Sequence, residues 1–183
     1  YSVIDVAILG AAALDAVIYS HTACSGDVVI IAIDLAGRIH PSCALNWDSV
    51  TMKPAEVVRA QVQVLEQLGK GHLVTAGKDI SNPGIIGTLG MLLEVSGKGA
   101  LVDLDLIPKP DLNAHGMTFE QWIRCYPGMG FVLTARPEHA DEIGQRFAKV
   151  GMVAKVIGTV DSGHELRITY EGEDSSVFDF SRH

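Results

Sequence analysis

The residues best suited to chemistry lie in Lys78-Asp79-Ile80-Ser81-Asn82-Pro83-Gly84-Ile85-Ile86-Gly87-Thr88. A strand-like segment ends at Asp79, a turn follows through Ser81, Asn82 and Gly84, and an apolar helix starts near Ile85. That order brings free backbone N–H groups and the positive end of a helix dipole to one point. Gly84 and Gly87 lack side chains that would keep a ligand from the backbone. Asp79 is an oxygen ligand suited to Mg²⁺, and Lys78 adds a cation. The same residues also fit ordinary helix capping, because Asp, Ser and Asn favour the position before a helix and Pro its first turn. Pattern alone leaves phosphate binding and capping both open.

Other constellations offer less. His21-x-x-Cys24 and His40-x-x-Cys43 together hold four zinc-type ligands. A strand-like run between them, about eight extended residues or about 26 Å long, argues for scattered structural residues instead. Asn46, Trp47 and Asp48 sit where a domain junction is expected, so they either line a junction pocket or pack as a linker around Trp47. Asp161-Ser162-Gly163-His164 lacks the glycines of a nucleophile elbow.

The elements that must position these residues follow from periodicity. Val3–Leu9 and Val28–Ile33 read as β-branched strands. Ala36–Ser49 reads as irregular. Pro54–Leu68 reads as a helix with Val58, Val62, Leu65 and Leu68 at helical spacing and Gly69 as its stop. His72–Ala76 reads as extended and Ile85–Val95 as a buried helix. Ala100–Leu106 alternates like a half-buried strand. Pro108–Gly116 reads as a loop, and Thr118-x-x-Gln121 as a capping box opening a short helix. Phe131–Ala135 reads as a strand and Pro137–Val150 as a helix. Val153–Val160 and Leu166–Tyr170 read as strands joined by the turn at Asp161–Gly163. The class is α+β, with helices packed on a mixed sheet. The expected division is residues 1–45 as the end of a first α/β domain, 46–170 as a second domain and 171–183 as a polar tail. A start at Tyr1 inside a strand-like run implies a longer protein.

Composition bounds the rest. The 183 residues are 48% apolar, enough for a packed core. With 22 acidic and 14 basic residues the net charge is −8. That balance repels polyanions, so no nucleic-acid partner is expected, while a locally built phosphate pocket stays open. No apolar run is long enough for a transmembrane helix, so no membrane partner is expected. The three cysteines, Cys24, Cys43 and Cys125, read as free thiols of a cytoplasmic protein.

The run Asp79-Ile80-Ser81-Asn82-Pro83-Gly84-Ile85-Ile86-Gly87-Thr88-Leu89-Gly90 resembles the second-domain glycine motif of the aminoimidazole-ribonucleotide (AIR) synthetase, or PurM-like, superfamily. Further segments keep the family's order. Ser25–Val29 is similar to its Pro-Gly-Asp strand, and Ser96–Pro108 to its Gly-Ala strand ending in Ile-Pro. Tyr126–Glu138 resembles the next strand and helix start, and Gly151–Val160 the late strand with its Ile-Gly pair. The resemblance covers roughly residues 23–170 and is nearest to AIR synthase-related proteins. Pro83-Gly84 stands where Gly-Gly is commoner, which stiffens the turn.

The resemblance implies a PurM carboxy-terminal-domain-like fold and ATP- and Mg²⁺-dependent chemistry. The γ-phosphate of ATP would be transferred to an amide or acid oxygen of a small molecule, in a ligase-type reaction. Lys78, Asp79, Ser81, Asn82, Gly84, Gly87 and Thr88 would line the phosphate or substrate pocket, with Asp79 as the metal ligand. It also implies a homodimer. The alternative is a non-catalytic, homodimeric small-molecule-binding or scaffold relative.

Overall fold

The computed structural model describes residues 6, 7 and 9–181. Most of the expected strand Val3–Leu9 lies outside them, and residues 6, 7 and 9 are in no strand.

Ten strands and four α-helices are present among the described residues. β1 (Val28–Ile33), β4 (Ala76–Asp79), β5 (Gly99–Asp103), β7 (Gly130–Ala135), β8 (Val153–Asp161), β9 (Glu165–Tyr170) and β10 (Glu173–Asp179) form one sheet. Its order is β10-β9-β5-β8-β1-β7-β4. All pairs are antiparallel except β5 with β9, so the sheet is mixed. β2 (Arg38–His40), β3 (Cys43–Asp48) and β6 (Tyr126–Pro127) form a small second sheet.

Helices cover both faces of the large sheet. α1 (Ala55–Lys70) and α4 (Ala140–Ala148) bury Val64, Leu68, Ile143 and Phe147 against Ile30 and Ala32 of β1. α2 (Gly84–Ser96) and α3 (Phe119–Arg124) bury Ile85, Leu89, Leu92, Leu93 and Trp122 with Val29, Ile31 and Ile33. Alternate residues of β1 thus enter opposite cores, which is why its sequence is apolar throughout. The fold is α+β, helices on a mixed sheet, as the sequence implies.

Several boundaries differ from the sequence reading. Val28–Ile33 does not close a separate first domain. It pairs with β7 and β8 at the middle of the sheet, so the division expected at residue 45 falls within one folded unit. Ala36–Ser49 is not irregular but holds β2 and β3. Residues 171–183 are not simply a tail, because β10 pairs with β9 through a two-residue turn. Glu171 and Gly172 there have φ of 50° and 82°, as a type I′ turn demands. The extended segment expected over His72–Ala76 is displaced to β4. β5 stops at Asp103, whose carboxylate accepts from the Asp105 N–H and turns the chain. β5 also lies between β8 and β9, so the turn at Asp161–Gly163 joins strands that are not neighbours.

α1 extends past Gly69, which is buried inside it. A Cβ there would lie 2.2 Å from the Ala16 carbonyl oxygen, so the glycine admits the incoming chain instead of stopping the helix. α1 also presents a different face from the one expected. Gln61 is buried while Val62 is half exposed, because Gln61 reaches the buried Asp34. The Thr118 capping box forms in both directions, with Thr118 and Gln121 bonding each other's backbone N–H.

Candidate functional site: the β4–α2 junction

β4 is an edge strand, and it delivers Lys78 and Asp79 to the end of the sheet. Lys78 Nζ stands 3.2 Å from Asp79 Oδ1, and the Asp79 side chain is 67% exposed. The chain then turns through Ser81, Asn82 and Pro83 into α2. Asn82 is exposed and Ser81 half-buried. The Gly84 N–H donates to the Ser81 carbonyl at 2.8 Å. Pro83 occupies the cap position, and no side chain caps α2. The capping role open to Asp79, Ser81 and Asn82 is therefore not the one they adopt. Thr88 is fully buried, and its Oγ1 accepts from the Ser81 N–H at 3.2 Å. Thr88 fixes the turn from beneath and does not line an open surface.

The glycines act differently from the sequence reading. Gly84 has φ +74°, and a Cβ there would lie 2.6 Å from the Ile123 carbonyl oxygen and 2.8 Å from Arg124 Cα. A Cβ on Gly87 would lie 2.6 Å from Pro83 Cβ. The close approaches they permit are to α3 and to Pro83. The junction therefore offers a ligand its uncapped helix start, Lys78, Asp79 and the exposed Asn82, but not bare backbone at these two glycines.

Asn46, Trp47 and Asp48 do not form a junction pocket. Trp47 is fully buried, edge-on to Trp122 at 5.3 Å and to His115 at 4.8 Å. Its Nε1–H donates to the Asp34 carbonyl at 3.0 Å. Asn46 pairs with Tyr126 across β3 and β6. Asp48 closes the following turn, accepting from the Val50 and Thr51 N–H groups and the Thr51 hydroxyl. The Thr51 hydroxyl, then its N–H, hold the Asp48 carboxyl at about 2 against an ordinary 3.8. The folded state thus binds this proton more weakly than the unfolded chain. The stability it confers is complete above pH 3.8 and is lost as pH falls towards 2. Asp48→Asn is expected to flatten the acid limb of the stability curve in that window. Urea titrations at stepped pH test this, and equal slopes for both proteins would refute it.

The two His-x-x-Cys segments are engaged separately. The His21 ring packs edge-on against Tyr19 at 5.3 Å, and the Cys24 thiol donates to the Thr22 carbonyl at 3.5 Å. His40 Nδ1 accepts from the Ser42 N–H, and Cys43 Sγ lies 3.0 Å from the Tyr126 hydroxyl. The hydrogen bond between them, above all, lowers the pKa of the Cys43 thiol and raises that of the Tyr126 hydroxyl. Burial pushes Cys125 up to about 11. Among the described residues, no three His, Cys, Asp or Glu groups gather as a metal cage.

Sequence reasoning missed two groups of residues. Asp34 is fully buried at the end of β1. It pairs with Lys53, accepts from Gln61 Nε2 at 2.6 Å and accepts from the Ala36 N–H at 2.9 Å. Ile18, Tyr19, Ser20, His21, Leu65, Gly77, Phe131 and Leu133 join Lys78 and Asp79 around a cleft of ≈ 580 Å³. These residues come from separate segments, and no local pattern announces them.

A mixed sheet with helices on both faces, and a strand that runs through a glycine turn into an uncapped buried helix, define a PurM-like carboxy-terminal domain. Residues 25–171 match the model for the AIR synthase related protein, C-terminal domain, and the chain belongs to that family. An uncharacterised protein of Methanocaldococcus jannaschii is 47% identical over 182 residues, covering 99% of this chain and 55% of that protein. The chain spans about half the length of the curated relatives it matches. Among solved structures, Thermotoga maritima PurL complexed with ATP superposes with a TM-score of 0.70 at 18% identity, covering 92% of this chain and 27% of that one. The hydrogenase maturation protein HypE in complex with ATP gives 0.65 at 14%, covering 91% and 54%. Those two likenesses are of fold. No helix among the described residues is long and apolar enough to cross a membrane.

Proposed function

We propose that this chain is the phosphate-facing half of an ATP- and Mg²⁺-dependent enzyme. Its reaction transfers the ATP γ-phosphoryl group to the oxygen of a small-molecule amide or acid, activating that carbon for a nitrogen nucleophile. The observation that supports this best is the β4–α2 junction of a family member. A strand ending in a mostly exposed carboxylate leads into a helix start that no side chain caps. Such a start favours an anion through its dipole and the N–H groups beyond Gly84, whose own N–H is taken by the Ser81 carbonyl. Asp79 is the residue that would hold Mg²⁺, a cation that favours oxygen ligands and would neutralise phosphate charge there. Lys78 offsets charge that develops on the transferred group, and catalysis of this kind rests on positioning and electrostatics. PurL and HypE, which share the fold, have been solved with ATP. In this reading the protein works in the cytoplasm as a homodimer, and the additional length of its relatives provides the rest of the site.

A second reading, a homodimeric small-molecule-binding or scaffold relative without catalysis, draws support from Gly84 and Gly87, whose open sides are filled by the protein itself. Calorimetric titration with Mg²⁺ and a non-hydrolysable ATP analogue tests the first reading. Saturable binding with a rise in melting temperature is expected. No heat and no thermal shift at millimolar nucleotide would overturn it. Binding without turnover across a panel of amides and acids would favour the second.

A further inference from the structure

The cleft beside β4 is a built feature. Its outer wall is the segment Ile18–His21, tied to the strand by the Gly77 N–H donating to the Tyr19 carbonyl at 2.9 Å. A second tie is the Thr22 hydroxyl donating to the Thr75 carbonyl at 2.6 Å. Gly77 is needed for this approach, because a Cβ would lie 2.8 Å from Leu133 Cδ2 and 2.9 Å from Ile18 Cγ2. Leu65 of α1 and Phe131 and Leu133 of β7 give apolar side chains, and the Tyr19 ring, edge-on to His21, gives an aromatic one. The charged lining groups are Lys78 and Asp79, 3.2 Å apart, with His21 and Tyr19 the other titratable side chains. A volume of ≈ 580 Å³ is in the range that encloses small ligands.

The lining selects chemistry. A polyol body would exchange its water hydrogen bonds for contacts with Ile18, Leu65, Phe131 and Leu133, which is unfavourable. A flat apolar ring gains from the same contacts and from the Tyr19 ring. The Lys78–Asp79 pair presents a donor beside an acceptor. An anion meets repulsion from Asp79, whereas a primary carboxamide satisfies both groups. Its carbonyl accepts from the Lys78 ammonium, and its NH₂ donates to the Asp79 carboxylate.

We propose that this cleft binds a primary carboxamide carried on a flat, apolar ring, with the amide at Lys78 and Asp79 and the ring among Tyr19, Leu65 and Phe131. The inference goes beyond the proposed function: the cleft lies on the face of the sheet that carries α1, whereas α2 packs on the other.

Benzamide is the probe, titrated into the protein without nucleotide while the Tyr19 and His21 ring resonances are followed by NMR. Saturable shifts in the millimolar range are expected, as suits so small a ligand. Benzoate is expected to bind about fivefold more weakly or worse, because it sets like charge against Asp79. Gluconamide, an amide on a polyol, is expected to leave both rings unmoved. Tyr19→Ala and Lys78→Met are each expected to weaken benzamide about fivefold or more. Lys78→Met decides the matter if Tyr19→Ala loosens the Ile18–His21 segment. Unmoved Tyr19 and His21 signals, equal affinity for gluconamide, or full affinity in Lys78→Met would overturn the proposal. If Mg-nucleotide binds and benzamide does not, the cleft proposal alone falls. If benzamide binds and nucleotide does not, the cleft stands and the phosphate reading falls.

Discussion

Gly84→Ala is expected to destabilise the fold by about 3 kcal/mol or more, one of the two largest effects of any single substitution considered. Two costs combine. At φ +74° an alanine is strained by roughly 1–2 kcal/mol. Its Cβ would also stand 2.6 Å from the Ile123 carbonyl oxygen and 2.8 Å from Arg124 Cα. Those atoms are backbone, so no rotamer change relieves the clash. Either α3 moves off α2, which exposes Trp122, or the start of α2 tilts and disturbs the Ser81–Thr88 hydrogen bond. Gly97, the αL cap of α2, separates the two costs. Its φ is +61°, but an added Cβ meets nothing within 4 Å. Gly97→Ala should show the conformational term alone, about 1 kcal/mol. Urea midpoints for the two variants test this, and equal losses would show that contact with α3 does not explain Gly84.

Asp34→Ala is the second large effect, expected to cost about 3–5 kcal/mol. The carboxylate is fully buried and has three partners: Lys53, Gln61 Nε2 and the Ala36 N–H. Removing it strands a cation and two donors away from full hydration, which is the costly half of any buried ion pair. The Lys53 side chain retains 17% exposure and can turn partly to solvent, so the lower end of the range is expected. Gln61 would then lose one of the two acceptors of its Nε2, keeping the Val150 carbonyl at 3.3 Å. Its Oε1 already lacks a partner among the described residues. The network ties the end of β1 to the loop before α1, so amide hydrogen exchange should speed up first around residues 34–36 and 48–53. A loss of under about 1 kcal/mol would mean that the pair is solvated and structurally incidental.

What the sequence disclosed and withheld follows from how local each signal is. Val28–Ile33 is apolar throughout because it lies between two packed layers, and Ile85–Val95 is mostly apolar because Ile85, Leu89, Leu92 and Leu93 are buried against the sheet; both are visible without knowing their neighbours. The Thr118–Gln121 box spans four residues and was equally legible. The second sheet was not, because Cys43–Asp48 acquires its parallel partner Tyr126–Pro127 some 80 residues later, and Trp47 reads as a linker until that pairing is known. β10 was hidden for a different reason. As an edge strand exposed along almost its whole length it carries Glu173, Asp174 and two serines, and so resembles a tail. At the site, the strand–turn–helix order around Asp79 was readable, and Gly84 was singled out, but for the approach of a ligand and not of α3. Its partner was not, since φ and the contact with α3 are tertiary facts. The cleft was the least legible feature. Tyr19, Leu65, Lys78 and Phe131 meet only because β4 lies at the sheet edge with the Ile18–His21 segment against it.

The central claim is that the β4–α2 junction handles phosphate. Backbone amide NMR during titration with Mg²⁺ and a non-hydrolysable ATP analogue tests it most directly. The largest saturable shifts are expected at Asp79, Ser81, Asn82 and the first amides of α2, from Gly84 to Gly87, with smaller changes elsewhere in the sheet. Saturable shifts confined to another face, with Asp79–Gly87 unmoved, would contradict it.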